Sequence, residues 1–149
     1  MSLLDEIDHC FKTALKNQDR LELSTLRLLK AAMKNRQVQE RRSLTEAEVV
    51  AVITSQAKQR RDSVAEFTKA GRSDLAQKEE EELRFLLSFL PQQISVEEMR
   101  RELEGIIADV QATGPRDLGR VMKAAMAKLA GRADGKEVNQ VARKLLGGD

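Results

Sequence analysis

The sequence predicts an all-α protein built as two helical subdomains, a long-helix N-terminal lobe over residues 1–93 and a three-helix C-terminal lobe over residues 94–149. Three observations carry that prediction. Apolar residues recur at helical spacing along the whole chain, and no stretch alternates apolar and polar residues for long. Helix-start pairs recur, with Asp19 three before Glu22, Thr45 before Glu48, Ser95 before Glu98 and Asp134 before Glu137. Helix breakers stand between the periodic segments, at Gly71, Pro91, Gly114-Pro115 and Gly131.

The first helix is marked by Leu3, Ile7, Cys10, Phe11 and Ala14. The second opens at Asp19 and runs to about Arg42. The third opens at Thr45, or at Ser43 with Glu46, and continues to about Ala70, where Gly71 suits a left-handed cap. The fourth runs from Ser73 through Leu90, and Pro91 prevents it continuing. Ser95 opens the fifth. The sixth runs from about Asp117 to Ala130, and the seventh from Asp134 to Leu146. The last three each carry their own apolar stripe, enough to close a small core together.

Composition excludes several kinds of protein. A single cysteine, Cys10, rules out an intramolecular disulfide and a Cys-rich zinc site, and a single histidine, His9, leaves few ways to build a His-based metal site or triad. No apolar run approaches the roughly 20 residues that span a bilayer. The N-terminus turns acidic at Asp5-Glu6, where a signal peptide would be basic and then apolar. The expectation is a cytoplasmic protein without a membrane partner.

Charge interrupts two apolar stripes. Arg60 and Arg61 fall inside the stripe that holds Val49, Ile53, Ala57, Val64 and Phe67, and Glu79 and Glu82 fall inside that of Leu75, Leu83 and Leu86. If Gly71-Arg72-Ser73 turns the two helices into an antiparallel hairpin, Arg60 and Glu82 stand eleven residues either side of Gly71. Ion pairs from Arg60 or Arg61 to Glu79 or Glu82 then set the hairpin register. Arginine beside a carboxylate favours its charged form, which works against a poised general acid, so no catalytic residue is assigned. The run Glu79-Glu80-Glu81-Glu82 points in four directions around a helix and cannot converge on one ion, so no metal and no cofactor is expected.

The net charge of +2 hides local excesses. Residues 20–42 hold seven Lys/Arg against two Glu, and Arg27, Lys30, Lys34 and Arg41 fall within roughly 60° on the helical wheel. Residues 115–149 hold eight Lys/Arg against four acids, including Arg120, Lys123, Lys128, Arg132, Lys136, Arg143 and Lys144. Patches of this kind meet nucleic-acid phosphates by releasing counterions. With no Trp or Tyr, and with Phe11, Phe67, Phe85 and Phe89 suited to the core, base stacking on exposed aromatics is not expected.

Three stretches resemble the YqeY family: Leu26 to Ala32, Lys69-Ala70-Gly71-Arg72-Ser73-Asp74-Leu75-Ala76 on to Phe89-Leu90-Pro91-Gln92-Gln93, and Asp117 to Lys123. That family is similar to the C-terminal tail of GatB, the B subunit of the tRNA-dependent amidotransferase. The resemblance implies an all-helical fold in two subdomains and tRNA as a partner. It implies none of the chemistry, since amide formation in that enzyme belongs to another domain. It attaches best to Gly119, Lys123, Gly131, Lys136 and the basic residues near them. The turn Arg132-Ala133-Asp134-Gly135-Lys136 departs from the Asn-Pro-containing turn of the full subunit. The leading expectation is a non-catalytic tRNA-binding module, working with amidotransferase or other translation-related proteins. The alternatives are a helical protein-interaction adaptor and an accessory to amide-forming, glutamine-dependent carbon–nitrogen ligase activity.

Overall fold

The computed structural model describes residues 2–91 and 93–147. Among them are seven α-helices and no strand: α1 (Leu3–Asn17), α2 (Arg20–Glu40), α3 (Glu46–Lys69), α4 (Ser73–Leu87), α5 (Val96–Asp109), α6 (Leu118–Leu129) and α7 (Gly135–Leu145). A single 3-10 turn, Pro115–Asp117, leads into α6. The chain divides into two compact units, Met1–Pro91 and Gln92–Asp149.

In the first unit, α1, α2 and the early part of α3 close a core around Ile7, Leu26, Leu29 and Ile53, with Leu86 of α4 joining it. Side-chain caps start α1, α2 and α3, whereas α4 has none. Ser2 Oγ accepts from the Asp5 N–H, Asp19 Oδ1 from the Glu22 N–H, and Thr45 Oγ1 from the Glu48 N–H. The Leu3 N–H donates to Glu46 Oε1 at 2.7 Å, tying the start of α1 to the start of α3. The stops are less uniform. Gly71 takes φ +72° after α3, where the left-handed region favours glycine, but α1 and α2 end on Gln18 (φ 55°) and Arg41 (φ 58°). With no glycine to mark it, α2 stops at Glu40, two residues short of the expected end. Helix α4 stops at Leu87, three short, and the Ser88, Phe89 and Leu90 N–H groups bond back to the carbonyls of the last turn.

The second unit is a three-helix cluster around Met99, Leu103, Val121, Ala125, Leu129, Val138 and Ala142, all at most 1 % exposed. Ser95 Oγ accepts the Glu98 N–H at 3.2 Å to start α5. The segment before it is fastened to the α6–α7 turn. The Ile94 N–H donates to the Arg132 carbonyl at 2.9 Å, and Gln93 Nε2 to the Gly131 carbonyl at 2.8 Å. Gly131 is buried with φ +79°, a conformation that a side chain would strain.

Candidate functional site

The wheel position of α2's core decides what its cations can do. Thr25, Leu26, Leu29 and Met33 are the buried residues of α2, whereas Leu28 is 52 % exposed. Arg27, Lys34 and Arg41 are exposed and form no ion pair among the described residues. Lys30 differs because it stands at the edge of the core. Its Nζ is 2.9 Å from Asp8 Oδ1 and 4.6 Å from the Phe11 ring centroid, so its charge is already met by a carboxylate and a π face.

The cations of the second unit divide in the same way. Arg120 donates to Asp117 Oδ1 at 3.0 Å and to the Val110 carbonyl at 3.2 Å, which makes it a brace across the entry to α6. The Thr113 N–H, together with Arg120, holds the Asp117 carboxyl below its usual range. Lys128 Nζ lies 2.6 Å from Glu102 Oε2, and this bond holds the Glu102 carboxyl low in turn. Arg132 is half-buried in the α6–α7 turn, where its N–H donates to the Leu129 carbonyl and its own carbonyl accepts the Ile94 N–H. Lys123, Lys136, Arg143 and Lys144 are exposed, and no ion pair among the described residues involves them. A Cβ built on Gly135 would stand 3.7 Å from Met126 Cε. That seats the start of α7, with Lys136, against the part of α6 just past Lys123.

The charged residues inside the α3–α4 stripes meet within the hairpin. Arg60 Nε lies 3.0 Å from Glu82 Oε2 and 3.6 Å from Glu79 Oε2, and Glu82 is only 5 % exposed. The 3.0 Å approach is a charge contact off the N–H direction, since Arg60 Nε has no hydrogen-bond acceptor and Glu79 Oε2 no donor. Burial pushes the Glu82 carboxyl up; Arg60 opposes the rise and the neighbouring Glu79 charge adds to it. Arg61, one residue and about 100° further round α3, is half-buried and makes no ion pair among the described residues. The triad is two like charges around one cation, an arrangement suited to fixing register.

Other candidate chemistry stays at the level of packing. Cys10 is half-buried, and burial, followed by the Glu22 and Glu6 charges, raises its thiol pKa, the opposite of an activated nucleophile. No group of three or more His, Cys, Asp or Glu able to hold a metal ion is present among the described residues. Among the same residues no helix is long and apolar enough to cross a membrane.

The molecule is therefore an all-helical protein of two units whose functional candidates are exposed cations on helix faces, without ion pairs among the described residues. The chain belongs to the YqeY-like protein family, whose family model matches residues 4–146; this is the family of the domain resembling the GatB C-terminal tail. It is similar to the Altered inheritance of mitochondria protein 41, mitochondrial, of the fungus Pyrenophora tritici-repentis. The two are 26 % identical over 97 % of this chain and 81 % of that protein. The protein of the same name from Kluyveromyces lactis is 32 % identical over 70 % of this chain, and the match spans 58 % of its length.

Proposed function

We propose that the chain is a non-catalytic tRNA-binding module that meets phosphates through Lys123, Lys136, Arg143 and Lys144 of its second unit. The observation that carries the reading is that these four cations are exposed and, among the described residues, unspent on ion pairs, unlike Arg120 and Lys128. They sit on a pair of packed helices, a rigid platform for backbone contact. Every phenylalanine of the chain is half-buried, which leaves phosphate contact, and not base stacking, as the mode. The choice of tRNA rests on the family's similarity to the amidotransferase tail, the part of that enzyme that contacts the tRNA body.

Fluorescence anisotropy with a tRNA transcript and a duplex RNA control tests the reading at two salt concentrations. Four neutralised phosphates give a slope of log K against log salt of about −3. The triple variant Lys123→Glu, Lys136→Glu, Arg143→Glu is expected to lose at least tenfold in affinity while keeping its helical circular dichroism. Unchanged tRNA affinity in that variant overturns the assignment. The site of action proposed is the cytoplasm. The fungal relatives carry "mitochondrial" in their names, so fractionation of cells expressing the tagged chain distinguishes the two compartments.

A further inference from the structure

The face of α2 opposite its core has a repeat of its own. Arg20, Arg27, Lys34 and Arg41 follow one another at intervals of seven residues, and Ser24, Ala31 and Val38 stand four residues after the first three. Steps of four and three run from Arg20 to Val38 within α2, with Arg41 at the left-handed cap just beyond its end, and follow the line along which a helix meets a second helix, with a drift of only about 20° per heptad. All seven residues are exposed, Val38 at 69 %. None of the four cations forms an ion pair among the described residues. The buried residues Thr25, Leu26, Leu29 and Met33 lie on the far side of the helix, so the seam is free of the unit's own core. Beside its C-terminal half run two hollows of about 420 and 480 Å³ that share Lys34 and Gln37, with Leu4 lining one and Val38 the other.

We propose that this face docks an acidic amphipathic helix of a protein partner. Ser24 and Ala31 leave holes that a partner's Leu-sized knobs fill, Val38 offers an exposed apolar contact at the next position, and the hollows lengthen that surface sideways. Cations at the alternate positions, about 10.5 Å apart along the axis, call for carboxylates at seven-residue spacing on the partner. Pairing of this seam with the same seam of a second copy is disfavoured, because it sets cation against cation. A phosphate backbone answers the cations but makes no use of Ser24, Ala31 and Val38, so a helix fits the face better than RNA does.

The test is a selection from a displayed library of three-heptad helical peptides, against the full chain, followed by anisotropy on the enriched peptides. Enrichment of sequences with Asp or Glu every seven residues and a large aliphatic residue between them is the expected result. The variant Lys34→Glu, Arg41→Glu should weaken those peptides at least tenfold and bind their Lys-substituted counterparts instead. The Lys123→Glu, Lys136→Glu, Arg143→Glu variant should bind the acidic peptides as before, which separates this surface from the tRNA reading. Enrichment of no acidic heptad, equal peptide binding by the Lys34→Glu, Arg41→Glu variant, or loss of tRNA but not peptide binding in that variant each overturns the proposal.

Discussion

The two units place charge in opposite ways. In the first, Glu82 is buried against Arg60 between α3 and α4. In the second, the buried side chains are apolar, and the ion pairs Arg120–Asp117 and Lys128–Glu102 stay at the surface. The difference follows from shape. Helix α3 has 24 residues and α4 has 15, so they form a long two-helix hairpin in which aliphatic stripes alone allow neighbouring registers of similar energy. A buried charge that must find its counterion penalises the alternatives. Three short helices joined by tight turns have less freedom to slide, so apolar packing suffices.

That contrast is broken most severely where packing is the only support. Leu103→Ala, at a fully buried site of the second unit, is expected to cost about 3 kcal/mol in urea unfolding. Glu82→Ala should cost somewhat less, about 2 kcal/mol, since Glu79 remains 3.6 Å from Arg60 and the arginine is not orphaned. A double-mutant cycle with Arg60→Met should return a coupling of about 1 kcal/mol or more; additive losses would remove the register argument.

Acidity sharpens the same comparison. The Glu82 carboxyl is raised by burial, so the folded state keeps a proton that the unfolded state releases at lower pH. Its contribution is fully present below the ordinary glutamate range and is lost as pH rises through the raised folded value. Glu82→Gln should flatten that part of the profile of urea midpoint against pH. The second unit, through Glu102 and Asp117, has the opposite sign. Their carboxyls are lowered, so their contribution is present above the ordinary range and is lost on acidification. Surface screening keeps that second effect small.

Two smaller effects complete the series. Ser95→Ala removes the oxygen that accepts the Glu98 N–H and should cost about 1 kcal/mol. Lys128→Ala breaks an ion pair whose lysine side chain is 60 % exposed, and should cost no more than about 0.5 kcal/mol in thermal or urea melts. A Lys128→Ala loss as large as that of Glu82→Ala would erase the distinction between the units.

Much of this was legible before any coordinate. The starts of α2, α3 and α5 are written as Asp19, Thr45 and Ser95 with an acid three residues on, because a cap is a local bond between neighbours in sequence. The end of α3 is written in Gly71. The ends of α1 and α2 are not, since Gln18 and Arg41 take left-handed conformations that their side chains do not advertise. Which of Arg60 and Arg61 pairs was also open. Both lie within the stripe, and only the rotation of α3 against α4 brings the first onto Glu82.

The basic faces show the limit most clearly. Sequence alone determined the helices, the overall helical class and the local excess of cations, because propensity, capping and composition act over a few residues. Tertiary structure decided which cations are available. Lys30 is met by Asp8, 22 positions away, and Lys128 by Glu102, 26 positions away. Helix α2 is leucine-bearing on several sides, with Leu21, Leu23, Leu26, Leu28 and Leu29, so its own pattern names no single inner face. Packing against α1 and α3 chose Leu26, Leu29 and Met33 and turned Leu28 outward. A helix's rotation is set by the partners that can bury its side chains, and those partners are distant in sequence.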